Sequence, residues 1–223
     1  MLGRRITTIV THDILYGSSG YLRTEVRGVS REEEVHVVNE AAPDLCGFLV
    51  DYPSVPWSVD RDQLWNLVSH LEPTIPAVGV FVDQPLGLVA ELADEVLDVV
   101  ELHGSEENPY ITFLRELVDV PIVQAFLVAG PDDIRKANES KADFVLLDGD
   151  WRRDEAFDWS LIEGLRRPFM LSGGLGADNV AAAVKDLRPW GVSMGSRLDV
   201  GGTKSLELVS AALAAARGTE QRS

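Results

Sequence analysis

The chain has 223 residues, 45% hydrophobic and 25% charged, a length that suits a single α/β domain with a large core. Its net charge of −16 argues against nucleic acid or an anionic membrane as a general partner, and it requires a local positive site for any anionic substrate. The single cysteine, Cys46, excludes an internal disulfide and a multi-cysteine metal site, and no apolar run reaches transmembrane length or forms a signal-peptide core, which together fit a cytoplasmic protein.

Residues 1–20 read as an N-terminal extension. Within it, Ile6 to Val10 has the pattern of a strand, Tyr16 to Gly20 reads as a turn, and His12-Asp13 is a polar pair that reads best as a surface turn. From Leu22 a strand–helix alternation begins, about 25 residues per unit. The first strand covers Tyr21 to Val29. Ser30 then caps a helix running to Ala42, with Glu33 in the capping-box position. The second strand is Leu45 to Val50, followed by a loop with Pro53 and Pro56 and a helix from Asp60 to His70. The third is Ala77 to Val82, with a helix from Pro85 to Ala93. The fourth is Asp98 to Leu102, ending in His103-Gly104, with a helix from Asn108 to Leu117. The fifth is Pro121 to Ala125, with a helix from Asp132 to Asn138. The sixth is Ala142 to Leu147, ending in Asp148, with a short helix from Ser160 to Leu165.

The seventh strand, Phe169 to Leu171, breaks at Ser172-Gly173-Gly174 before a helix that starts near Ala177. The eighth, in Pro189 to Met194, ends in Gly195-Ser196-Arg197. A last helix spans Ser205 to Ala216. Eight units at near-constant spacing, with continuous apolar strands, predict a closed parallel (β/α)8 TIM barrel. It is a single α/β domain over residues 21–218, with a tail at 219–223.

In such a barrel, chemistry sits at the C-terminal strand ends. Two adjacent ends, after the seventh and eighth strands, carry small residues where a phosphate can approach the backbone and a helix N-terminus: Ser172, Gly173, Gly174, Gly195 and Ser196. Asp148, ending an apolar run, reads as a general acid. His103 reads as an acid/base group, a hydrogen-bond donor or a satisfied turn histidine. Cys46 lies early in its strand and reads as core.

These pieces in order resemble the phosphoribosylanthranilate isomerase family from about Glu25 to Ala215. The resemblance is carried by Gly79-Val80-Phe81-Val82, Val100-Glu101-Leu102-His103-Gly104, Leu146-Leu147-Asp148, Phe157-Asp158-Trp159-Ser160-Leu161, Leu171-Ser172-Gly173-Gly174-Leu175 with Asn179-Val180, and Arg188-Pro189-Trp190-Gly191-Val192. It implies an Amadori rearrangement in tryptophan biosynthesis. The ring of a phosphoribosyl-amine opens, an aldose becomes a ketose, and neither cofactor nor metal takes part. It further implies that Asp148 is the acid and that backbone groups around Ser172, Gly173, Gly174, Gly195 and Ser196 hold the phosphate. The expected partner is a phosphorylated small molecule, with no nucleic acid or membrane, and the chain is expected to be a monomer or homodimer.

The departures are equally specific. Glu25-Val26-Arg27-Gly28 aligns with the family's Lys-Ile-Cys-Gly, so Arg27 stands where the base cysteine belongs, and a guanidinium cannot take that proton. Trp57 stands where the family has an arginine for the anthranilate carboxylate, Glu101 where it has glutamine, and Arg197 where it has glycine. Arg27 and Arg197 thus read as substrate-binding cations and Trp57 as a stacking or pocket-closing ring. Glu101 reads as a replacement base, as is His103, or as a counter-charge for Arg27. Three functions stay open: an isomerase of the family type, a divergent enzyme for another phosphorylated substrate, and a non-catalytic phosphate-ligand-binding barrel.

Overall fold

A computed structural model describes residues 2–17, 21–149 and 158–218, with side chains from Thr8 onward. The turn expected at Tyr16 to Gly20 lies partly outside the described residues. The tail 219–223 and most of the loop after Asp148 lie wholly outside them.

The strands form a ring. In chain order the elements are α1 (Leu2–Tyr16), β1 (Arg23–Arg27), α2 (Glu32–Ala41), β2 (Leu45–Val50), β3 (Ser58–Val59), α3 (Arg61–Ser69), β4 (Ala77–Phe81), α4 (Leu86–Glu95) and β5 (Val99–Leu102). They continue with α5 (Asn108–Arg115), β6 (Ile122–Leu127), α6 (Pro131–Glu139), β7 (Phe144–Asp148), a 3-10 turn (Trp159–Gly164), β8 (Phe169–Leu171), α7 (Val180–Leu187) and β9 (Gly191–Met194). A small antiparallel hairpin, β10 (Asp199–Val200) with β11 (Thr203–Lys204), precedes α8 (Leu206–Arg217). The hydrogen-bonded order β1-β9-β8-β7-β6-β5-β4-β2 is parallel throughout, and β1 pairs with β2 to close the eight-stranded barrel. The short β3 runs beside β2.

Strand alternation sorts the residues into two cores. One face packs Val26, Cys46, Phe48, Phe81, Val100 and Leu147 against the surrounding helices. The other fills the barrel interior with Leu45, Val78, Val99, Val123, Phe144, Leu146 and Met170. Cys46 is buried in the outer of these layers, as its place early in the strand suggested.

Several local expectations need correction. The segment containing Ile6 to Val10 is helical, within α1. A closed ring leaves no free edge for another strand, whereas a helix can cover one end. Leu15 of α1 packs beneath the interior layer with Leu45 and Val78. Tyr16 meets Phe144 at a ring separation of 5.2 Å, and Phe144 stacks on Trp190 at 4.7 Å. Arg23, buried at the base of β1, ties the helix down. Its Nε donates to the Ile14 carbonyl at 2.8 Å and its Nη2 to that of Gly17 at 3.1 Å, and its guanidinium lies 4.8 Å above the Trp190 ring. A cation at a helix C-terminus also suits the dipole. His12 and Asp13 lie on the exposed side of α1, on a helix rather than in a turn.

Second, α2 starts one residue later than the Ser30 cap implied. Glu34, not Glu33, accepts from the backbone N–H groups of Ser30 at 2.7 Å and Arg31 at 3.1 Å. Third, the element after the sixth barrel strand is a 3-10 turn rather than an α-helix.

Candidate active site

At the C-terminal rim, one side of the ring turns polar and charged groups inward instead of hydrocarbon. On β1, whose inward residues begin with Arg23 at the base, these are Glu25 and Arg27. Glu101, His103, Asp148, Ser172 and Ser193 join them from β5, β7, β8, β9 and the loops that follow. They surround the base of a cavity of about 330 Å³. Arg27, His103, Asp148, Ser172, Gly173, Gly174, Ser193, Gly195 and Ser196 line one half. Leu49, Tyr52, Val55, Trp57, Val80, Val82 and Leu127 line the other.

Four charged side chains are linked. His103 Nδ1 lies 2.8 Å from Glu101 Oε1 and its Nε2 lies 3.1 Å from Asp148 Oδ2, so the imidazole bridges two carboxylates. Arg27 Nη2 is paired with Glu101, and its Nη1 lies 3.7 Å from Asp148 Oδ2 and 3.5 Å from Ser172 Oγ. Burial pushes the His103 imidazolium toward losing its proton, but its hydrogen bonds to Asp148 and Glu101 prevail and raise its pKa to about 9. At neutral pH both ring nitrogens therefore donate. Burial pushes the Glu101 carboxyl up, yet the Arg27 charge and His103 hold it at about 2. Burial disfavours the Arg27 guanidinium, but Glu101, Glu25 and Asp148 raise its pKa above the usual arginine value.

This arrangement separates the sequence-derived candidates. Asp148 and His103 share one hydrogen-bonded unit at the cavity wall. Glu101 sits behind them as the counter-charge of Arg27, and a carboxylate held near 2 is a weak base. Ser172, Gly173, Gly174, Gly195 and Ser196 meet at one edge of the cavity. Gly173 has φ +96° and Gly174 φ +60°, and a Cβ on Gly173 would stand 2.6 Å from the Gly149 nitrogen. Only glycine allows that backbone approach. Trp57 lines the apolar half. Arg197 is elsewhere: its Nη1 donates to the Gly174 carbonyl at 3.2 Å and its Nη2 to Asp178 Oδ2 at 2.8 Å, outside the cavity lining.

Two residues escaped the sequence reading. Lys204, buried on β11, lines the cavity, with Nζ 2.6 Å from Asp199 Oδ1 and 3.5 Å from the Gly195 carbonyl. Glu25 lies behind the wall and stands where the family motif has lysine. Alternation along β1 puts Glu25 on the same face as Arg27, and that signal was available in the sequence.

Comparison with known proteins agrees with this geometry. The family description "N-(5'phosphoribosyl)anthranilate (PRA) isomerase" matches residues 24–215. A relative named N-(5'-phosphoribosyl)anthranilate isomerase from Endomicrobium trichonymphae is 37% identical over 193 residues, covering 84% of this chain and 94% of that protein. The crystal structure of phosphoribosyl anthranilate isomerase from Thermotoga maritima superposes with TM-score 0.77 at 27% identity, covering 89% of this chain and 100% of that one. A phosphoribosyl anthranilate isomerase solved in complex with reduced 1-(o-carboxyphenylamino)-1-deoxyribulose 5-phosphate gives TM-score 0.76 at 28% identity, with the same coverage. The family match over residues 24–215, with a relative 37% identical over 84% of the chain, places this chain in the N-(5'-phosphoribosyl)anthranilate isomerase family.

Proposed function

We propose that this protein is an aldose–ketose isomerase that performs the Amadori rearrangement of N-(5'-phosphoribosyl)anthranilate. The observation that carries the reading is the joined pair Asp148–His103, which shares one cavity with the two glycine-bearing rims. The rims of Ser172, Gly173, Gly174, Gly195 and Ser196 bind the phosphate, with the buried Lys204 ammonium beside them. Asp148 then gives a proton to the ribose ring oxygen, and the ring opens to an iminium. The resulting carboxylate takes the proton from C2, and an enol forms. His103, with Nε2 3.1 Å from Asp148 Oδ2, orients the Asp148 carboxyl group while it gives up and then regains its proton. One acid/base group thereby serves where the family uses an aspartate and a cysteine. Arg27 stays charged and takes no proton. No cofactor enters these steps.

The test is turnover of phosphoribosylanthranilate by the purified protein, followed as formation of the carboxyphenylamino-deoxyribulose phosphate. The wild type converts it, and Asp148→Asn loses roughly 10²–10⁴-fold in kcat. An inactive wild type, or an Asp148→Asn variant of undiminished rate, removes the reading.

A second substrate has one observation in its favour. The apolar half, from Leu49 through Trp57 to Leu127, presents no cation among the described lining residues. A phosphoribosyl-amine whose aromatic ring carries no carboxylate suits those walls. Comparing kcat/KM for the carboxylated and uncharged aryl substrates separates the two.

A further inference from the structure

Two polar side chains behind the cavity have no part in the steps above. Glu25 on β1 and Ser193 on β9 are direct register partners on neighbouring parallel strands. Both turn inward, and both are 1% exposed. Ser193 reaches the cavity lining, and its register partner Glu25 does not. Gly47, across β2, leaves room for the carboxyl, since a Cβ there would stand 2.6 Å from Glu25 Oε1. Neither Glu25 oxygen makes a hydrogen bond of ordinary geometry among the described residues. The same holds for Ser193 Oγ and for Arg27 Nε. Buried polar atoms are almost always satisfied, so this cluster of open donors and acceptors demands an explanation.

The rearrangement leaves one proton unserved. When the enol becomes a ketone, the hydrogen on the C2 oxygen must leave. We propose that Ser193 and Glu25 form a second proton-handling pair that takes this hydrogen. The O–H bond at C2 breaks and its electron pair completes the C2=O bond. The C1=C2 electron pair takes a proton at C1 from Asp148. The departing proton goes to Ser193 Oγ as that hydroxyl passes its own proton to Glu25. Exchange with water between turnovers returns Glu25 to the carboxylate and Asp148 to the acid. Ser193 is thus the catalytic residue of the pair and Glu25 acts through it.

The surroundings suit that task. Burial raises the Glu25 carboxyl most strongly. Arg27 on the same strand opposes this, Glu101 across the barrel adds to it, and Ser193 and His103 oppose it, leaving a value of about 7. Cys46 on β2 feels the Glu25 charge, but burial holds its thiol protonated. Both forms of Glu25 are therefore populated at neutral pH, as a relay requires.

The inference rests on the isomerase reading, and its test is built to separate the two. In the full-length protein, Glu25→Gln and Ser193→Ala lower kcat about 10–100-fold with KM changed by no more than about twofold. Ser193→Thr keeps the hydroxyl and restores most of the rate. The fall of kcat on the acid side of neutrality disappears in Glu25→Gln, which a merely structural role would not produce. In the unliganded protein, the infrared band of a protonated carboxyl titrates near neutrality, is absent from Glu25→Gln and shifts in Ser193→Ala. An unchanged kcat and pH profile in Glu25→Gln overturns the proposal, as does a band that is missing or indifferent to Ser193→Ala. A wild type inert toward phosphoribosyl-amines at every pH defeats the isomerase reading instead, and the infrared arm then decides on the pair by itself.

Discussion

Arg23 and Arg27 stand two residues apart on β1, both turned into the barrel, and they serve opposite ends of it. At the base, the Arg23 guanidinium meets the carbonyls of Ile14, Gly17 and Tyr21 and the face of Trp190, all neutral groups. At the mouth, Arg27 meets the carboxyl groups of Glu101 and Asp148, and its Nε is left open among the described residues. The same side chain on the same strand thus holds the fold together at one end and sets the charge of a reaction site at the other. The difference lies in the partners. Backbone carbonyls satisfy a buried cation without changing state, whereas carboxylates tie it to proton transfer.

The contrast predicts that damage at the base costs stability and leaves chemistry alone. Leu15→Ala opens a void between α1 and the interior layer, and it lowers the unfolding free energy by about 2–5 kcal/mol in urea melts. Its kcat on phosphoribosylanthranilate stays at the wild-type value. A large loss of kcat at unchanged stability would break the separation of the two ends.

The mouth, by contrast, makes stability depend on pH. The folded-state pKa of Glu25, about 7, lies above its ordinary 4.5, so the folded protein binds more protons than the unfolded chain between those values. Stability falls as pH rises through that window and levels off above it. At about 1.4 kcal/mol per pH unit the loss is on the order of 3 kcal/mol. His103, raised from 6.5 to about 9, carries the decline on to higher pH in the same direction. Urea melts from pH 4.5 to 9 measure both, and Glu25→Gln flattens the lower part while leaving the upper. A wild-type stability that rises between pH 4.5 and 7 would contradict the assignment.

The smallest effect belongs to the outer rim. Arg197 bonds Gly174 and Asp178 at an exposed site, and such pairs contribute at most about 1 kcal/mol. Arg197→Ala accordingly changes Tm and KM little. A tenfold rise in KM would bring this residue into the substrate site.

The barrel was legible because parallel strands buried on both faces leave continuous apolar runs, and each run ends in turn residues. Asp148 was visible for the same reason, as a charge closing Phe144-Val145-Leu146-Leu147. The glycine pair announced itself by chemistry that no other residue permits. Other features were hidden. Ile6 to Val10 has a composition that fits strand or helix, and only the closed ring decides against the strand. Glu101 read as either a base or the counter-charge of Arg27, and only the packing of Arg27 and His103 against it decides for the second. Glu25 and Ser193 are ordinary polar residues in their own strands. Alternation puts Glu25 on the face of Arg27, but its pairing with Ser193 comes from register across β1 and β9, a relation between segments 168 positions apart that local pattern does not carry.

The helix across the base has a consequence for traffic. With Leu15, Tyr16 and Arg23 closing the floor, water reaches the buried carboxyls from above. A substrate seated in the mouth then corks its own chamber, and the hydrogens being shuffled pass only between it and the side chains enclosed with it. The helix that looked like an appendage to the barrel adds a floor beneath an interior already filled by side chains.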